Sequence, residues 1–230
     1  MRITLQPAFL LHRKPYRDSS RIYDFFTLEH GVISVIAKSV WRKEKGGSLA
    51  NLIQPFTPLL ISFVGRASLK TLSKVELADS HKNFSGERIF CALYLNELLL
   101  KLVGRNIPHP ELFGYYSKSL DALKSASSVE EPLRSFELFL LAELGYEIDL
   151  ETDSTGVPIN ECASYLYEPT HGFTKIQSEI VKEGGRYLGR DILTMAKGEF
   201  NEVSAALKRL LRVTLSYHLG EKELQSRNLF

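Results

Sequence analysis

The chain has 230 residues, of which 44% are hydrophobic and 24% are charged, and its formal net charge is +2. These values are typical of an ordinary soluble globular protein with one large domain or two small ones. No stretch approaches the roughly 18 consecutive apolar residues of a membrane span. The apolar patch within residues 1–17 is too short for a signal peptide, so we expect a cytoplasmic protein.

The first third of the chain has the pattern of a series of β-strands. Five segments rich in β-forming residues are separated by turn signals, such as the polar stretch 15–20. Five strands in about seventy residues predict a small closed barrel or a sandwich. The segments are 8–12, 21–27, 32–37, 57–64 and 69–75.

Apolar residues take a helical spacing after residue 85. We expect helices at 88–104 and 111–124, a third from a capping box at 128–131 to Gly145, and a fourth at 201–219. Between residues 147 and 187 this period is lost, which predicts an irregular insertion with one hairpin. The pattern therefore predicts an α+β protein with a β domain, 1–80, and an α-helical domain, 81–230.

Motifs for nucleotide binding and hydrolysis are absent from the sequence. It contains no G-x-x-x-x-G-K-[ST], G-x-G-x-x-G, G-x-S-x-G or H-E-x-x-H pattern. Cys91 and Cys162 lie far apart and no C-x-x-C pair is present, so a structural zinc site is not expected. We therefore expect neither an enzyme nor a bound metal or other cofactor.

Charge is distributed unevenly along the chain. Residues 1–75 contain 12 Lys and Arg against 4 Asp and Glu, residues 76–160 contain 7 against 14, and residues 161–230 contain 10 against 9. Basic charge concentrated in the β domain points to a polyanionic partner, although an uneven scatter of solvated charges gives the same count.

The basic residues of the β domain are the candidate DNA contacts. Cations on the loops and one face of a small barrel neutralise phosphates, and aromatic side chains among them stack on bases. Strand alternation predicts that Lys70 and Lys74 share a face. Tyr16, Tyr23 and Trp41 are candidates for stacking, although packing in the core or at the rim explains each aromatic alone better. Packing explains Trp41 least well, because a loop does not easily bury it. The candidate DNA contacts are Arg13, Lys14, Arg17, Arg21, Lys38, Trp41, Arg42, Lys43, Lys45, Arg66, Lys70 and Lys74.

Two groups of cations lie in the helical domain. Lys208, Arg209 and Arg212 share one face of the last predicted helix, opposite its apolar stripe, as a solvated face would. Arg134, just inside the helix that contains Pro132, is by its sequence context alone a surface arginine.

The order of these segments resembles the RecO family of bacterial recombination mediators, specifically its gamma-proteobacterial members. The resemblance runs from near residue 6 to the end, and its most specific pieces are QPFTPLL at 54–60 and YLNELL at 94–99. Further similar segments are AFLLH at 8–12, DFFT at 24–27, VIAK at 35–38, KTL at 70–72, LRSFEL at 133–138, LGY at 144–146 and LQSRNLF at 224–230.

This resemblance implies a five-stranded OB-fold barrel followed by the helical domain, in a nucleoid-associated protein. It implies binding of single- and double-stranded DNA, annealing of complementary strands, and loading of RecA, with RecR and in some routes RecF, onto DNA coated by the single-stranded DNA-binding protein, SSB. Arg134 matches the family position that meets the negative charge of the SSB C-terminal tail. Many members hold zinc with four cysteines in the insertion, but Cys162 stands alone there, so no zinc site is carried over.

Two alternatives from other classes remain open at this point. One is a helical protein-interaction module for which DNA contact is incidental, which the acidic middle region and apolar helices allow. The other is a hydrolase of unrecognised type, which requires a deep pocket with clustered titratable groups.

Overall fold

The structure, a computed structural model, describes residues 1–18, 20–38, 43–44, 47–80, 83–176 and 185–226. Its internal contacts divide the chain into two compact units. Residues 1–126 and the segment from Leu224 onward form the first unit, and residues 127–223 form the second. This division differs from the sequence boundary near residue 80, because two helices that follow residue 80 belong to the same unit as the strands.

The first unit begins with a closed five-stranded barrel. Its strands are β1 (Arg2–Tyr16), β2 (Ser20–Thr27), β3 (Gly31–Ala37), β6 (Leu59–Val64) and β7 (Leu69–Leu77). Between β3 and β6 the chain forms the paired strands β4 (Lys43–Glu44) and β5 (Gly47–Ser48) and the short helix α1 (Leu49–Leu52). The order around the barrel is β1-β2-β3-β7-β6, with β3 and β7 parallel. The expected OB-fold barrel is confirmed.

β1 is longer than the segment 8–12 that its apolar residues indicate. From Arg2 to Ala8 it pairs with β6, and from Ala8 to Tyr16 it pairs with β2. Because its backbone has a partner along both halves, the polar ends also adopt the extended conformation. Hydrophobicity alone therefore understates the length of this strand.

Helices α2 (Glu87–Leu102) and α3 (Pro110–Ser125) cover part of the outer side of the barrel. The ring of Phe9 on β1 lies 5.3 Å from that of Phe113 and 5.1 Å from that of Tyr116, measured between centroids. On α2, the side-chain amide of Asn96 donates to the carbonyl of Leu10 at 3.2 Å, and its oxygen accepts from the hydroxyl of Tyr116. The outward aromatic residues of the barrel are thus buried by helices of the same unit.

The second unit combines helices with a small sheet. Its elements are α4 (Glu130–Glu143), β8 (Ser164–Glu168), β9 (Gly172–Lys175), β10 (Arg186–Leu188), α5 (Gly189–Ala196) and α6 (Ser204–Leu219). The expected hairpin of the insertion is the β8–β9 pair, and β10 extends it to three strands in the order β10-β8-β9. None of the described helices is both long and apolar enough to cross a membrane.

The start of α4 differs in detail from the expected capping box. The N-cap residue is Val129, and no side chain caps it. The hydroxyl of Ser128 instead accepts a hydrogen bond from the backbone N–H of Glu130 at 3.2 Å. The helix is confirmed, but its first turn is closed by a local Ser turn rather than by a reciprocal box.

Candidate nucleic-acid interface

The turn between β1 and β2 gathers basic side chains at one end of the barrel. Arg13 lies opposite Tyr23, and Arg21 lies opposite Ala37, the last residue of β3. Lys38 follows Ala37 directly, so the ends of three strands bring their cations together. We call this set the basic rim, and its members are Arg13, Lys14, Arg17, Arg21 and Lys38.

Most of the basic rim is exposed and has no acidic partner. Arg13, Lys14, Arg17 and Lys38 are exposed, and they form no ion pair with any carboxylate that the structure describes. The guanidinium of Arg17 lies 5.4 Å from the centroid of the half-buried Tyr16 ring, a cation–π contact. Cations in water that are not already neutralised attract a polyanion.

Tyr23 does not offer a stacking surface. Its side chain is 0% exposed, and its ring lies 6.0 Å from that of Phe25 inside the barrel. Of the two interpretations of Tyr23, packing in the core is therefore confirmed, and stacking on a base is excluded. Burial raises the pKa of the Tyr23 phenol, and the charges of Arg21 and Arg13 oppose that rise.

The outer face of β2 and β3 carries a polar cluster that the sequence did not indicate. The carboxylate of Asp24 accepts hydrogen bonds from the Ser34 hydroxyl at 2.5 Å and from Arg105 at 2.9 Å, and His12 Nδ1 lies 3.6 Å away. Burial acts to raise the pKa of Asp24, but the hydrogen bonds and positive charge around it hold that pKa below its ordinary value. Asp24 thus neutralises the one cation, Arg105, that this cluster presents.

The segment that links α2 to α3 occupies part of the same face. The N–H of Asn106 donates to the carbonyl of Val32 at 3.0 Å. A Cβ on Gly31 would lie 1.8 Å from the carbonyl oxygen of Ile107, so only glycine permits this approach. In OB-folds the face of strands 2 and 3 commonly binds oligonucleotides. Here the chain itself covers part of that face, which leaves the basic rim as its accessible cationic end.

Arg66 and Lys70 lie at the other end of the barrel. Arg66 is exposed in the turn that follows β6, and the end of β6 pairs with the start of β1, whereas the basic rim lies at the end of β1. Lys70 is only 8% exposed, and its ammonium donates to Asn106 Oδ1 at 2.6 Å. The candidate DNA contacts therefore form two separate groups.

The prediction that Lys70 and Lys74 share a face is wrong. The register between β6 and β7 shifts, so that Leu72 pairs with Phe63 but Lys74 pairs with the adjacent residue of β6. This bulge leaves one extra residue in β7 and interrupts the alternation of side chains. Lys70 is buried, whereas Lys74 is exposed and forms an ion pair with Glu76.

Part of the basic loop after β3 lies outside the described residues. Trp41, Arg42 and Lys45 are not described, and for Lys43 only the backbone, paired with Ser48, is described. Their assignment as DNA contacts stays a prediction.

In the second unit, Arg134 is buried between two carboxylates of its own helix. Its Nη1 donates to Glu137 at 2.5 Å, and its Nε and Nη2 donate to Glu130 at 3.1 Å. Its side chain is 9% exposed, so the expectation of a surface arginine is wrong. Burial acts to lower the pKa of Arg134, but the two carboxylates raise it above its ordinary value. The role of Arg134 toward the SSB tail stays a prediction.

The three cations of α6 do not have one common environment. Lys208 and Arg212 are exposed, and Lys208 Nζ lies 3.7 Å from Glu130. Arg209 is half-buried: it donates to the carbonyl of Arg186 at 2.7 Å and lies 4.6 Å from the Tyr187 ring centroid. The solvated-face interpretation therefore holds for two of the three.

Side chains suited to metal binding are dispersed in the part of the chain that is described. Within it, His, Cys, Asp and Glu form no group of three that could hold an ion. Cys91 is buried in α2, Cys162 is exposed, and no disulfide joins them.

The strand order and the basic rim define the class of this protein as an OB-fold barrel with a cationic edge, continued by helices. Residues 1–81 match the family model described as Recombination protein O N terminal, and residues 83–228 match Recombination protein O C terminal. The chain belongs to the RecO family.

Similar proteins cover the whole chain. A DNA repair protein RecO of Nitrosococcus oceani is 40% identical over 232 residues, which cover 100% of this chain and 93% of that protein. The Pseudoalteromonas atlantica protein of the same name is 41% identical over 225 residues, which cover 97% and 92%. The Haemophilus influenzae protein is 38% identical over 233 residues, which cover 100% and 97%.

Proposed function

We propose that this chain acts in recombinational DNA repair by binding DNA, annealing complementary strands and helping to load RecA onto SSB-coated single strands. The observation that carries the proposal is the basic rim, where four exposed cations at one end of an OB-fold barrel form no ion pair with a described carboxylate. The names of the similar proteins, all DNA repair protein RecO, support the repair role.

The basic rim acts by charge neutralisation. Two DNA strands repel each other through their phosphates, and each phosphate that the protein neutralises releases condensed counterions and lowers that repulsion. Base pairing can then nucleate between strands held at the same surface. The base pairs drive the reaction downhill, so annealing requires no nucleotide hydrolysis, and we assign the protein neither an enzymatic step nor a cofactor.

The helical part supplies the contacts with proteins. We assign the SSB tail to the surface around Arg134, and RecR, with RecF in some routes, to the assembly that loads RecA. The side chain of Arg134 is 9% exposed and already donates to Glu130 and Glu137, so an acidic tail competes with these carboxylates for the guanidinium. Glu130 is 32% exposed and Glu137 only 2%, so Glu130 is the partner that the tail displaces.

This activity belongs in the cytoplasm, in association with the nucleoid, and involves no membrane. Its direct test is strand annealing between complementary oligonucleotides that are both coated with SSB, without ATP. We expect duplex formation to accelerate with added protein and to slow as salt rises. No acceleration at low salt would overturn the annealing function. Partner binding that persists at a salt concentration where DNA binding is lost would favour the protein-interaction module.

A further inference from the structure

A pocket of about 570 Å³ opens at the end of the barrel opposite the basic rim. It lies between the turn after β6, the turn between β2 and β3, and the segment that links α2 to α3. We call it the end pocket. Its lining residues are Met1, His30, Phe63, Gly65, Arg66, Ala67, Ser68, Lys70 and Asn106.

Lys70 is a buried cation without an anion. It is 8% exposed, and its only described partner is the neutral side-chain oxygen of Asn106, 2.6 Å from Nζ. An ammonium carries three N–H donors, and a buried charge is ordinarily paired with an opposite charge. Among the described residues, no carboxylate forms an ion pair with Lys70. Burial accordingly lowers the pKa of Lys70.

The other polar groups that line the end pocket also have no acidic partner there. The guanidinium of Arg66 and the hydroxyl of Ser68 lie in the exposed turn that forms one wall. His30 Nε2 is buried and has no hydrogen-bond partner among the described residues. No lining residue is an Asp or a Glu. The pocket therefore contains several donors and a net positive charge, and its missing component is an acceptor with negative charge.

The backbone holds these groups in place. Asn106 has a positive φ of 59°, and its N–H is bonded to the carbonyl of Val32. Gly65, with φ +123°, donates its N–H to the carbonyl of Met1 at 3.1 Å and turns the chain so that Arg66 follows at the pocket. Because Asn106 is fixed by its backbone and accepts from the Lys70 ammonium, this donor requires little ordering on binding.

We propose that the end pocket binds a phosphate group, held between Lys70 and Arg66, and that a nucleic-acid strand supplies this phosphate. The second half of the proposal rests on the proposed function. The loop between strands 4 and 5 of OB-folds takes part in oligonucleotide binding, and Arg66 lies in that loop. A single OB-fold covers about 4 to 16 nucleotides, so one strand can contact both the end pocket and the basic rim.

The first test is a titration of the full chain with inorganic phosphate, followed by amide chemical shifts in NMR. We expect saturable shifts confined to Gly65, Ser68, Lys70 and Asn106. Arg66→Ala, at an exposed position, weakens phosphate binding by about tenfold, since a charge-assisted hydrogen bond is lost. Lys118→Ala, at an exposed position on α3, is the matched control and leaves it unchanged. The absence of saturable shifts would contradict phosphate binding in the end pocket. Phosphate binding by Arg66→Ala equal to that of the unaltered chain would contradict it as well.

Asn106→Asp is a second, nearly isosteric variant, which neutralises the Lys70 ammonium without removing the lysine side chain. An Asp tolerates the positive φ of this position and places a carboxylate beside Lys70. We expect this variant to fold and to lose the phosphate-dependent shifts. If it binds phosphate as the unaltered chain does, Lys70 is only a structural tie between β7 and the segment that follows α2.

The source of the phosphate is tested with single strands that carry a 5′-phosphate or a 5′-hydroxyl. Tighter binding of the phosphorylated strand, lost in Asn106→Asp, identifies a terminal phosphate. Equal weakening of both strands in Asn106→Asp identifies an internal phosphodiester. If Asn106→Asp binds DNA with the affinity of the unaltered chain, a nucleic-acid strand does not supply the phosphate of the end pocket. If the chain binds phosphate in the end pocket but does not bind DNA, the proposed function fails while the pocket stands.

Discussion

The carboxylate of Glu97 on α2 accepts two hydrogen bonds from Ser226, one from its N–H at 2.8 Å and one from its hydroxyl at 2.5 Å. It accepts a third from the N–H of Gln225 at 2.9 Å, and Lys101 Nζ lies 2.9 Å away. Burial acts to raise the pKa of Glu97, but these bonds lower it to about 2. The Glu97 side chain thereby holds Gln225 and Ser226 against α2, although they lie 128 and 129 positions away in the chain.

This arrangement predicts a pH dependence of stability. The folded-state pKa of Glu97 is below its unfolded value, so its contribution is present above the unfolded pKa of 4.5 and is lost as the pH falls toward about 2. We expect Glu97→Gln to lower the free energy of unfolding at pH 7 by about 1 to 2 kcal/mol, allowing for solvent screening. Urea unfolding at pH 7 and pH 3 measures this free energy. The difference in unfolding free energy between Glu97→Gln and the unaltered chain should be smaller at pH 3 than at pH 7.

Glu147→Gln, at an exposed position, is the control for this measurement. It should leave the unfolding free energy nearly unchanged at both values of pH. A Glu97→Gln variant as stable as the unaltered chain at pH 7 would show that the Ser226 contacts do not contribute.

The basic rim predicts a defined salt response. Replacing Lys14 and Arg17 by Ala removes two exposed cations whose side chains are not part of the barrel core. We expect weaker binding of single-stranded DNA and a slope of log K against log salt that is shallower by roughly 0.7 to 0.9 for each lost contact. Fluorescence anisotropy over a salt series measures both. Lys118→Ala is the matched control, and an unchanged slope in the double variant would remove these residues from the interface.

The loop after β3 supplies a separate prediction. Replacing Arg42, Lys43 and Lys45 together by Ala removes three of the candidate DNA contacts. We expect weaker DNA binding and a salt slope reduced by roughly 0.7 to 0.9 per phosphate contact, as measured by the same anisotropy series. Affinity and slope equal to those of the unaltered chain would exclude the loop as a DNA contact.

The pairing of Arg134 predicts opposite effects for two substitutions. Arg134→Ala removes the cation and should abolish binding of a labelled SSB tail peptide, but it also leaves Glu137 buried without this partner. Glu130→Gln preserves the helix and replaces the carboxylate that competes for Arg134 with a neutral amide, so we expect the peptide to bind several-fold more tightly. Anisotropy of the labelled peptide measures both. Equal binding by the unaltered chain and both variants would remove Arg134 from the tail site.

The β pattern and helical period were sufficient to predict the strands and most helices, because strand and helix interiors are encoded by residues close together in the chain. They did not separate a barrel from a sandwich, because strand pairing joins distant residues; the OB-fold came from the family resemblance. The positions of Lys70 and Lys74 were not predictable, because a bulge in β7 changes the alternation and only pairing with β6 determines where it occurs. The cluster around Asp24 was also missed, since Arg105 reaches it from 81 positions away.

The burial of Arg134 left a local signal in the sequence. Glu130 and Glu137 stand four residues before it and three residues after it, the spacings at which side chains meet on one side of a helix. A charged triplet of this kind indicates a neutralised arginine. Burial itself was not predictable, because it depends on the neighbouring elements of the second unit.

The contact between Glu97 and Ser226 also affects how the chain completes its fold during synthesis. The barrel and α2 leave the ribosome before the residues that donate to the Glu97 carboxylate, since Ser226 comes 129 positions after Glu97. All residues of the second unit are therefore synthesised before the first unit can make its last contacts. A nascent chain stalled before residue 224 therefore lacks the three hydrogen bonds that Gln225 and Ser226 donate to Glu97.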